Sequence, residues 1–347
     1  MRYAVPQLVG AKMRFHRLKR RDFITLLGCA AAWPLAARAQ QTERIRRIGA
    51  LMGFGEDDAE GTLWLSSFKV ALQELGWVDG RNVLMDVRWS ASNTERERMF
   101  AKELVSLRPG VILAHGTPVT AALRRETQMI PIVFGAVADP VGEGFVESLS
   151  HPGGNITGFL FSEAGMGGKW LELLKEIAPN VKRAAMIFNP DTAPGRGSHY
   201  LPSFEAAARS LGVEPITEPV HNEAEIETVV TRLGHKPESG LVAIGDSFLV
   251  SHRKPIILAA AENKVPAVYF HAVFARDGGL LSYGPDNADI FRRAASYVDC
   301  ILRGVSPSEL PVQVPIKFET VINLKTAKAL DLIVPLTLQV AAAEVIE

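Results

Sequence analysis

The sequence predicts an α/β protein built from two doubly wound, Rossmann-like lobes. Short apolar runs alternate with amphipathic stretches, which is typical of parallel sheets covered by helices on both faces. The same plan also starts twice: a strand, a loop rich in glycine or proline, a helix that closes on Leu-Gly, and a second strand. Leu75-Gly76 and Leu211-Gly212 hold the equivalent place in the two halves. A chain of 347 residues is long enough for two domains.

In the first half, each element is predicted by a local pattern. Leu65, Phe68 and Leu72 recur at a helical period, and the pair Asn93/Thr94 supplies a cap for the next helix. Short apolar runs mark the strands between the helices. We therefore expect strands at 47–53, 83–89, 111–116 and 130–137, alternating with helices at 63–75, 94–107 and 118–126.

The second half continues the alternation after a joint. The joint is expected at His151–Gly158 (HPGGNITG), where glycine and proline are too dense for helix or strand. A long helix at 288–302 is followed by a proline-spaced extended stretch at 307–315, so the tail is expected to cross between the lobes again. The other expected elements are strands at 183–190, 213–220, 240–247, 265–270 and 279–284, and helices at 169–177, 204–211, 224–233 and 254–263.

The N-terminus has the pattern of a secretory signal peptide. Residues 1–39 carry eight basic side chains and one acidic one, and a cationic segment (RFHRLKRR) precedes an apolar run that ends at Ala37-Arg38-Ala39. Arg20-Arg21 with Phe23-Ile24 is typical of twin-arginine signals. We expect cleavage between Ala39 and Gln40 and a periplasmic location. A buried N-terminal helix is the alternative, and Met13 is a second possible start.

Charge and cysteine content exclude several classes of protein. Lys plus Arg and Asp plus Glu both number 38, and beyond residue 39 the net charge is −7, so nothing indicates a nucleic-acid partner. No later segment reaches transmembrane length. Cys29 faintly resembles a lipidation site, whereas Cys300 lies in a helical pattern and is expected to be buried. No His/Cys spacing indicates a metal, and no cofactor is expected.

The loops that follow strands supply the candidate ligand-binding residues, because open α/β sheets bind ligands at the carboxyl ends of their strands. Thr117-Pro118 combines a good N-cap with a good first helical residue, so it is either a structural cap or a carboxylate site. Asp139 and Asp246 are each either a partner for an ammonium or hydroxyl group or a turn cap. The aromatic residues near strand ends are either stacking platforms for a flat ligand or core residues: Phe54, Tyr269, Phe270 and Tyr283.

Enzyme motifs are weak or absent. Ser66 and Lys69 match Ser-x-x-Lys, but the partner motifs of that enzyme class are missing. The chain contains no Gly-x-Ser-x-Gly, no phosphate-binding loop and no His-Glu-x-x-His. These absences favour binding over catalysis.

Several long stretches closely resemble a family of ABC-transporter substrate-binding proteins, some of which bind tryptophan or tyrosine. The resemblance extends over residues 20–347. The stretches that carry it are RRIG (46–49), ELGWVDGRNV (74–83), RPGVILAHGTP (108–118), IPIVFGAVADPVGEGFVESLSHPGGNITG (130–158), GGKWLELLKEIAP (167–179), LSYGPD (281–286), FRRAASYVDCILRG (291–304) and LPVQVPIKFETVINLKTAKAL (310–330).

The resemblance implies a type I periplasmic binding protein with three crossovers between its lobes. The expected lobes are 40–157 plus about 285–313, and 158–284 plus about 314–347. The protein would deliver a small solute to a membrane permease and its ATPase. By position, the family's cleft residues fall on Phe54, Thr117, Asp139, Asn155, Asn189, Asp246 and Tyr283.

Three functional hypotheses follow. The first is a non-catalytic solute-binding protein that captures an amino acid or related carboxylate, with a purine-like or other aromatic solute as the alternative cargo. The second is an extracytoplasmic ligand-sensing domain with a separate signalling partner. The third is a secreted hydrolase that uses Ser66 and Lys69.

Overall fold

Two sheets organise residues 45–347, the part of the chain that the computed structural model describes. The first sheet has five parallel strands in the order β2-β1-β3-β4-β5. Its strands are β1 (Arg46–Met52), β2 (Val83–Trp89), β3 (Val111–His115), β4 (Ile132–Val137) and β5 (Ile156–Leu160).

Helices cover both faces of the first sheet. Alternate residues of β1 explain how: Ile48 and Met52 join one apolar cluster, whereas Leu51 joins another. One face is covered by α1 (Ala59–Glu74) and by a helix from late in the chain, Asn287–Leu302; the other is covered by α2 (Thr94–Ser106) and α3 (Gly116–Glu126).

The second sheet has seven strands in the order β12-β11-β10-β9-β8-β6-β7 and is parallel except between β10 and β11. Its strands are β6 (Arg183–Phe188), β7 (Glu214–Pro219), β8 (Ser239–Ala243), β9 (Ala267–Tyr269), β10 (Leu281–Pro285), β11 (Phe318–Asn323) and β12 (Glu344–Ile346). Its helices are α4 (Met166–Ile177), α5 (Leu201–Leu211), α6 (Glu223–Gly234), α7 (Ser247–Ser251), α8 (Arg253–Glu262), α9 (Ala272–Arg276), α11 (Leu324–Ala329) and α12 (Leu336–Ala341), with a 3₁₀ turn at Pro194–Gly197. A second 3₁₀ turn, Pro307–Glu309, packs against β5 of the first sheet.

The chain crosses three times between the two sheets. It leaves the first sheet after β5 and returns after β10, when α10 (Asn287–Leu302) packs against α1 and β4. It leaves again before β11, which pairs with β10 of the second sheet. The two doubly wound lobes and the three crossovers agree with the prediction. None of the helices within residues 45–347 is long and apolar enough to span a membrane.

The repeated Leu-Gly pair has a conformational reason. Gly212 ends α5 in the left-handed region with φ 63°, and Gly76 follows α1 with φ 96°. Glycine adopts these angles without the steric cost that a Cβ atom imposes, so each pair stops its helix and turns the chain toward the next strand.

Several predicted boundaries were wrong. The expected joint at His151–Gly158 contains the start of β5, and the lobe boundary expected at 157/158 falls inside this strand of the first sheet. The strand expected at 240–247 ends at Ala243, because the next residues turn into α7. The strand β11 and the helix α11 form where no element was predicted. The expected signal peptide lies outside the described residues.

Gly158 allows β5 to pack closely beside β4. A Cβ atom at this position would overlap the carbonyl oxygen of Phe134. Because that oxygen belongs to the backbone, no change of side-chain rotamer can relieve the overlap. Gly154 lies four residues earlier in open space.

We expect Gly158→Ala to lower the free energy of unfolding by about 1–3 kcal/mol, the usual cost of overpacking. Gly154→Ala is the matched control and should change it by less than about 0.5 kcal/mol. Urea unfolding measures both, and equal stabilities for the two variants would contradict the packing argument.

Candidate functional site

A cleft between the lobes collects residues from the carboxyl ends of strands in both sheets. Gly53, Gly116 and Ala138 line it from the first lobe, and Gly245 and Phe270 from the second. Parallel strands of each sheet end at the same edge, so loops distant in sequence meet here. The cleft is where the sequence predicted the ligand to bind.

Six rings form an aromatic box in this cleft: Phe54, Trp64, His115, Phe161, Phe270 and His271. Phe54 stacks on His115 with ring centroids 4.8 Å apart and 19° between planes. Trp64 lies between the two histidines, 5.4 Å from His115 and 5.3 Å from His271. On the other side, Phe161 packs edge-on against Phe270 at 5.6 Å. Such a box suits a flat, largely apolar group.

Both histidines of the aromatic box are neutral. Burial lowers the pKa of His115 to about 4 and, together with the nearby Arg276, lowers that of His271 to about 3. His115 accepts the N–H of Gly53 at Nδ1 (3.1 Å), and His271 accepts the N–H of Val273 at Nδ1 (3.1 Å). In both neutral rings the proton therefore sits on Nε2, which leaves each Nε2–H as a hydrogen-bond donor.

Glycine at position 53 lets the His115 ring approach the backbone. A Cβ atom there would lie 2.9 Å from Nδ1 of His115, inside van der Waals contact. Any larger residue would push the ring away from the amide that fixes its tautomer. The Gly53 and His115 pair therefore sets both the position of the ring and the direction of its donor.

The N-terminus of α3 opens into the same cleft. The helix begins at Gly116, two residues before the expected start, with His115 at the N-cap and no side chain capping its amides. Thr117 is therefore a first-turn residue and not the cap that the sequence predicted. Uncapped amides at a helix N-terminus attract anions, so this end of the cleft suits a carboxylate.

The cleft lining contains no lysine or arginine but two buried acidic side chains. Glu97 is 4% exposed, and burial raises its pKa, an effect opposed by a hydrogen bond with Ser90. Asp246 is also 4% exposed, and burial raises its pKa to about 6. Among residues 45–347, no group of three or more His, Cys, Asp or Glu side chains could hold a metal ion.

Three of the seven expected site residues line the cleft: Phe54, Thr117 and Asp246. Asp246 is occupied by protein donors: it caps α7 by accepting the N–H of Phe248 and also accepts the N–H of Asn189 and the hydroxyl of Thr192. Of the two alternatives for Asp246, a ligand partner or a cap, the structure shows the cap.

The other four expected residues lie outside the lining. Asn189 borders it through its bond to Asp246. Asp139 accepts the N–H of Gly142 in a turn and lies 3.4 Å from His199 of the second lobe. Asn155 sits at the opposite, amino end of β5, where its side chain donates to the carbonyl of Ile130. Tyr283 stacks on Phe318, with ring centroids 5.6 Å apart.

The sequence pointed to Phe54 and Phe270 of the aromatic box but not to its other four rings. It also gave no sign of several polar lining residues, among them Glu97 and Asn287. Trp64 and Glu97 lie inside helices, where a single sequence gives no sign that a side chain faces a cleft. His115 ends a parallel strand, His271 lies just after one, and each is the N-cap residue of the next helix, a position that could have singled them out. Ser66 and Lys69, the residues of the hydrolase hypothesis, are exposed on α1 and do not line the cleft.

Direct contacts hold the two lobes together across the cleft. The hydroxyl groups of Ser92 and Ser251 are 2.8 Å apart. Arg253 lies 3.6 Å from the carboxylate of Asp58, the cap of α1, and Arg276 donates to Glu60 at 3.3 Å. These contacts join the loop before α2 and the start of α1 in the first lobe to α7, α8 and α9 of the second, so the structure represents a closed arrangement.

Replacing His271 should change how stability depends on pH. In the unfolded chain this histidine takes up a proton near pH 6.5, whereas in the fold it stays neutral down to about pH 3. The unfolded state therefore binds more protons below pH 6.5, and the free energy of unfolding falls as the pH falls, by up to about 1.4 kcal/mol per pH unit.

The variant His271→Asn keeps an acceptor for the N–H of Val273 but has no group that titrates. We therefore expect its free energy of unfolding to depend less steeply on pH between pH 6.5 and 4.5, by the contribution of about one proton. The exposed His235→Asn serves as the control. Urea unfolding at several pH values measures the slopes, and parallel curves for His271→Asn and the parent would show that His271 is not kept neutral by the fold.

Comparisons with known proteins agree with this architecture. The chain is 29% identical over 265 residues, 76% of its length and 75% of the relative, to a tyrosine-binding protein from Clostridioides difficile. It matches the solved structure of an ABC domain in complex with L-Trp from Streptococcus pneumonia with a TM-score of 0.79 and 25% identity, covering 87% of this chain and 99% of that one. A conserved domain protein from Vibrio cholerae matches with a TM-score of 0.79 and 26% identity over the same shares.

The type I periplasmic binding protein fold is shared more widely. A 5-methylthioribose transporter solute-binding protein from Thermotoga lettingae has a TM-score of 0.57 at 13% identity, which indicates the fold alone. The family model described as ABC transporter substrate binding protein matches residues 58–346. With two lobes, three crossovers and a cleft at their strand ends, this chain belongs to the ABC transporter substrate-binding proteins, a family of solute-binding proteins and not of enzymes.

Proposed function

We propose that this protein captures an amino acid with an aromatic side chain in the cleft between its lobes and delivers it to the permease and ATPase of an ABC importer. The observation that carries the proposal is the aromatic box beside the uncapped N-terminus of α3. One end of the cleft suits a flat ring, and the other suits a carboxylate. The signal peptide expected at residues 1–39 would place the protein in the periplasm.

The ring of the ligand would lie among Phe54, Trp64 and the two neutral histidines. Aromatic pairs in offset or edge-on contact contribute about 0.5–1.5 kcal/mol beyond the burial of apolar area. The Nε2–H groups of His115 and His271 can donate to a phenol oxygen or to the face of a ring. Because both histidines are uncharged, the box can enclose an apolar ring without leaving a buried charge unpaired.

The carboxylate of the ligand would bind at the first turn of α3. The amides of Gly116 and Thr117 are free of a side-chain cap, and the positive end of the helix dipole favours an anion there. This retains the carboxylate site predicted at Thr117-Pro118, with the backbone amides and not the Thr117 cap as its basis.

Relatives with aromatic ligands support this choice of solute. One relative is named a tyrosine-binding protein, and one similar structure contains L-Trp.

Closure of the lobes would couple capture to delivery. Trp64 of the first lobe contacts His271 of the second, and Arg253 and Arg276 reach acidic residues of α1. A ligand that fills the box touches both lobes and therefore favours the closed state over the open one. The permease would recognise this closed form.

The first test is a calorimetric titration of the protein after partial unfolding and refolding to remove any bound ligand. We expect binding of L-tyrosine, L-tryptophan or L-phenylalanine, and much weaker binding of aliphatic amino acids. A ligand at a hundred times its Kd should also stabilise the protein by about 2.7 kcal/mol in a thermal scan. Binding confined to purines or sugars would replace the amino-acid proposal.

The second test is Phe54→Ala, which removes the ring stacked on His115. Loss of its buried area and ring contacts should lower the affinity for an aromatic amino acid by about 10- to 100-fold. Phe100→Ala is the control, because Phe100 is a partly buried ring of the same lobe that does not line the cleft. Equal affinities for both variants would show that Phe54 does not contact the ligand.

A further inference from the structure

Asn287 belongs to the lining of the cleft and carries an unpaired acceptor. Its side chain is the first of α10, lines the cleft and is 4% exposed. Its Oδ1 is fully buried and has no hydrogen-bond partner within residues 45–347. Asn287 is not needed as a helix cap, because Asp286 fills that role by accepting the N–H of Asp289 at 2.9 Å.

The position of α10 places Asn287 beside the aromatic box. Phe291 follows one turn later on the same face of the helix. Its ring lies 5.7 Å from Trp64 and 5.9 Å from His115. Asn287 therefore lies one helical turn before Phe291, the ring that packs against Trp64 and His115.

Most other polar groups in the lining of the cleft are hydrogen-bond donors or already accept hydrogen bonds from the protein. The Nε2–H groups of His115 and His271 and the first-turn amides of α3 are donors. The carboxylate of Asp246 accepts three bonds from the protein. Of the residues expected to bind an ammonium group, Asp139 lies outside the lining and accepts the N–H of Gly142. A zwitterionic ligand in this cleft needs an uncommitted acceptor, and Oδ1 of Asn287 is one.

A buried carbonyl oxygen without a partner destabilises the protein in which it lies. Such groups persist where they serve a function, and a ligand donor would remove the penalty on binding. The same penalty makes the free protein less stable than it would be with an apolar side chain of similar size at this position.

We propose that Asn287 is the residue that recognises the amino group of the ligand, through a hydrogen bond from that group to Oδ1. This assignment rests on the proposed function and adds to it the requirement for an amine. The cleft would then select for amino acids over the corresponding carboxylic acids that lack nitrogen. It replaces Asp139 and Asp246, the two sequence candidates for this role.

The assignment predicts opposite effects of one substitution on stability and on binding. Asn287→Leu should raise the melting temperature of the ligand-free protein, because it removes an unpaired buried polar group. Asn323→Leu is the matched control: Asn323 is equally buried at 5% exposure, but its side chain bonds to Ala275 and Thr326. That variant should melt at a lower temperature than the parent.

Binding is measured by calorimetry with L-tyrosine and with 3-(4-hydroxyphenyl)propionate, which has the same ring and carboxylate but no amino group. Asn287→Leu should weaken L-tyrosine binding by about 10- to 100-fold and leave the affinity for the deamino compound within about threefold, because only the amine contact is lost. Asn287→Asp, which keeps an acceptor, should remain close to the parent for L-tyrosine.

Each contrary result has a distinct meaning. A lower melting temperature for ligand-free Asn287→Leu would overturn the assignment, because it would show a structural role. Equal losses for L-tyrosine and the deamino compound would also overturn it. Loss of L-tyrosine binding in Glu97→Gln with normal binding in Asn287→Leu would assign the amine to Glu97 instead. Failure of the parent protein to bind any aromatic amino acid would refute the proposed function, while the melting temperatures would still decide whether Asn287 is an unpaired acceptor.

Discussion

The hydrogen bond from the backbone of Gly53 to Nδ1 of His115 fixes the centre of the cleft. It joins the residue after β1 to the last residue of β3, two strands that are adjacent in the first sheet. The bond holds His115 in one orientation and one tautomer, so that Phe54 can stack on the ring and Trp64 can pack on its edge. The same histidine is the N-cap residue of α3, and its placement leaves the first turn of that helix open.

The second lobe also has a histidine at a strand-to-helix junction whose Nδ1 accepts a backbone N–H. His271 lies between β9 and α9 and accepts the N–H of Val273 at Nδ1, as His115, at the end of β3, accepts the N–H of Gly53. Two lobes with the same strand-to-helix plan thus present two neutral rings to one cleft, with Trp64 in contact with both. A ligand held between them would contact each lobe through the same kind of group, which links recognition of a flat ring to closure of the lobes.

The cleft combines features that reduce stability with features that favour binding. Glu97, Asp246 and Asn287 place polar atoms in an apolar setting, and the pKa of each acidic group is raised by burial. Close contacts across the cleft, such as those of Arg253 and Arg276 with α1, offset part of this cost in the closed form. Binding sites commonly retain such groups because a ligand can satisfy them when it binds.

The sequence by itself determined the two α/β lobes, most of their elements and the edge of the sheets where the ligand site lies. These follow from local causes: apolar periodicity, caps such as Asp58 and Asn93, and Leu-Gly stops with left-handed glycines. Only the tertiary structure decided which side chains meet. In the fold, Asn155 lies at the amino end of β5, away from the cleft, and Asp246 caps a helix. Four lining residues come together from separate segments of the chain: Trp64, His115, His271 and Asn287. The reason is physical: which way a buried ring or amide faces depends on contacts between elements far apart in the chain, and no local pattern encodes them.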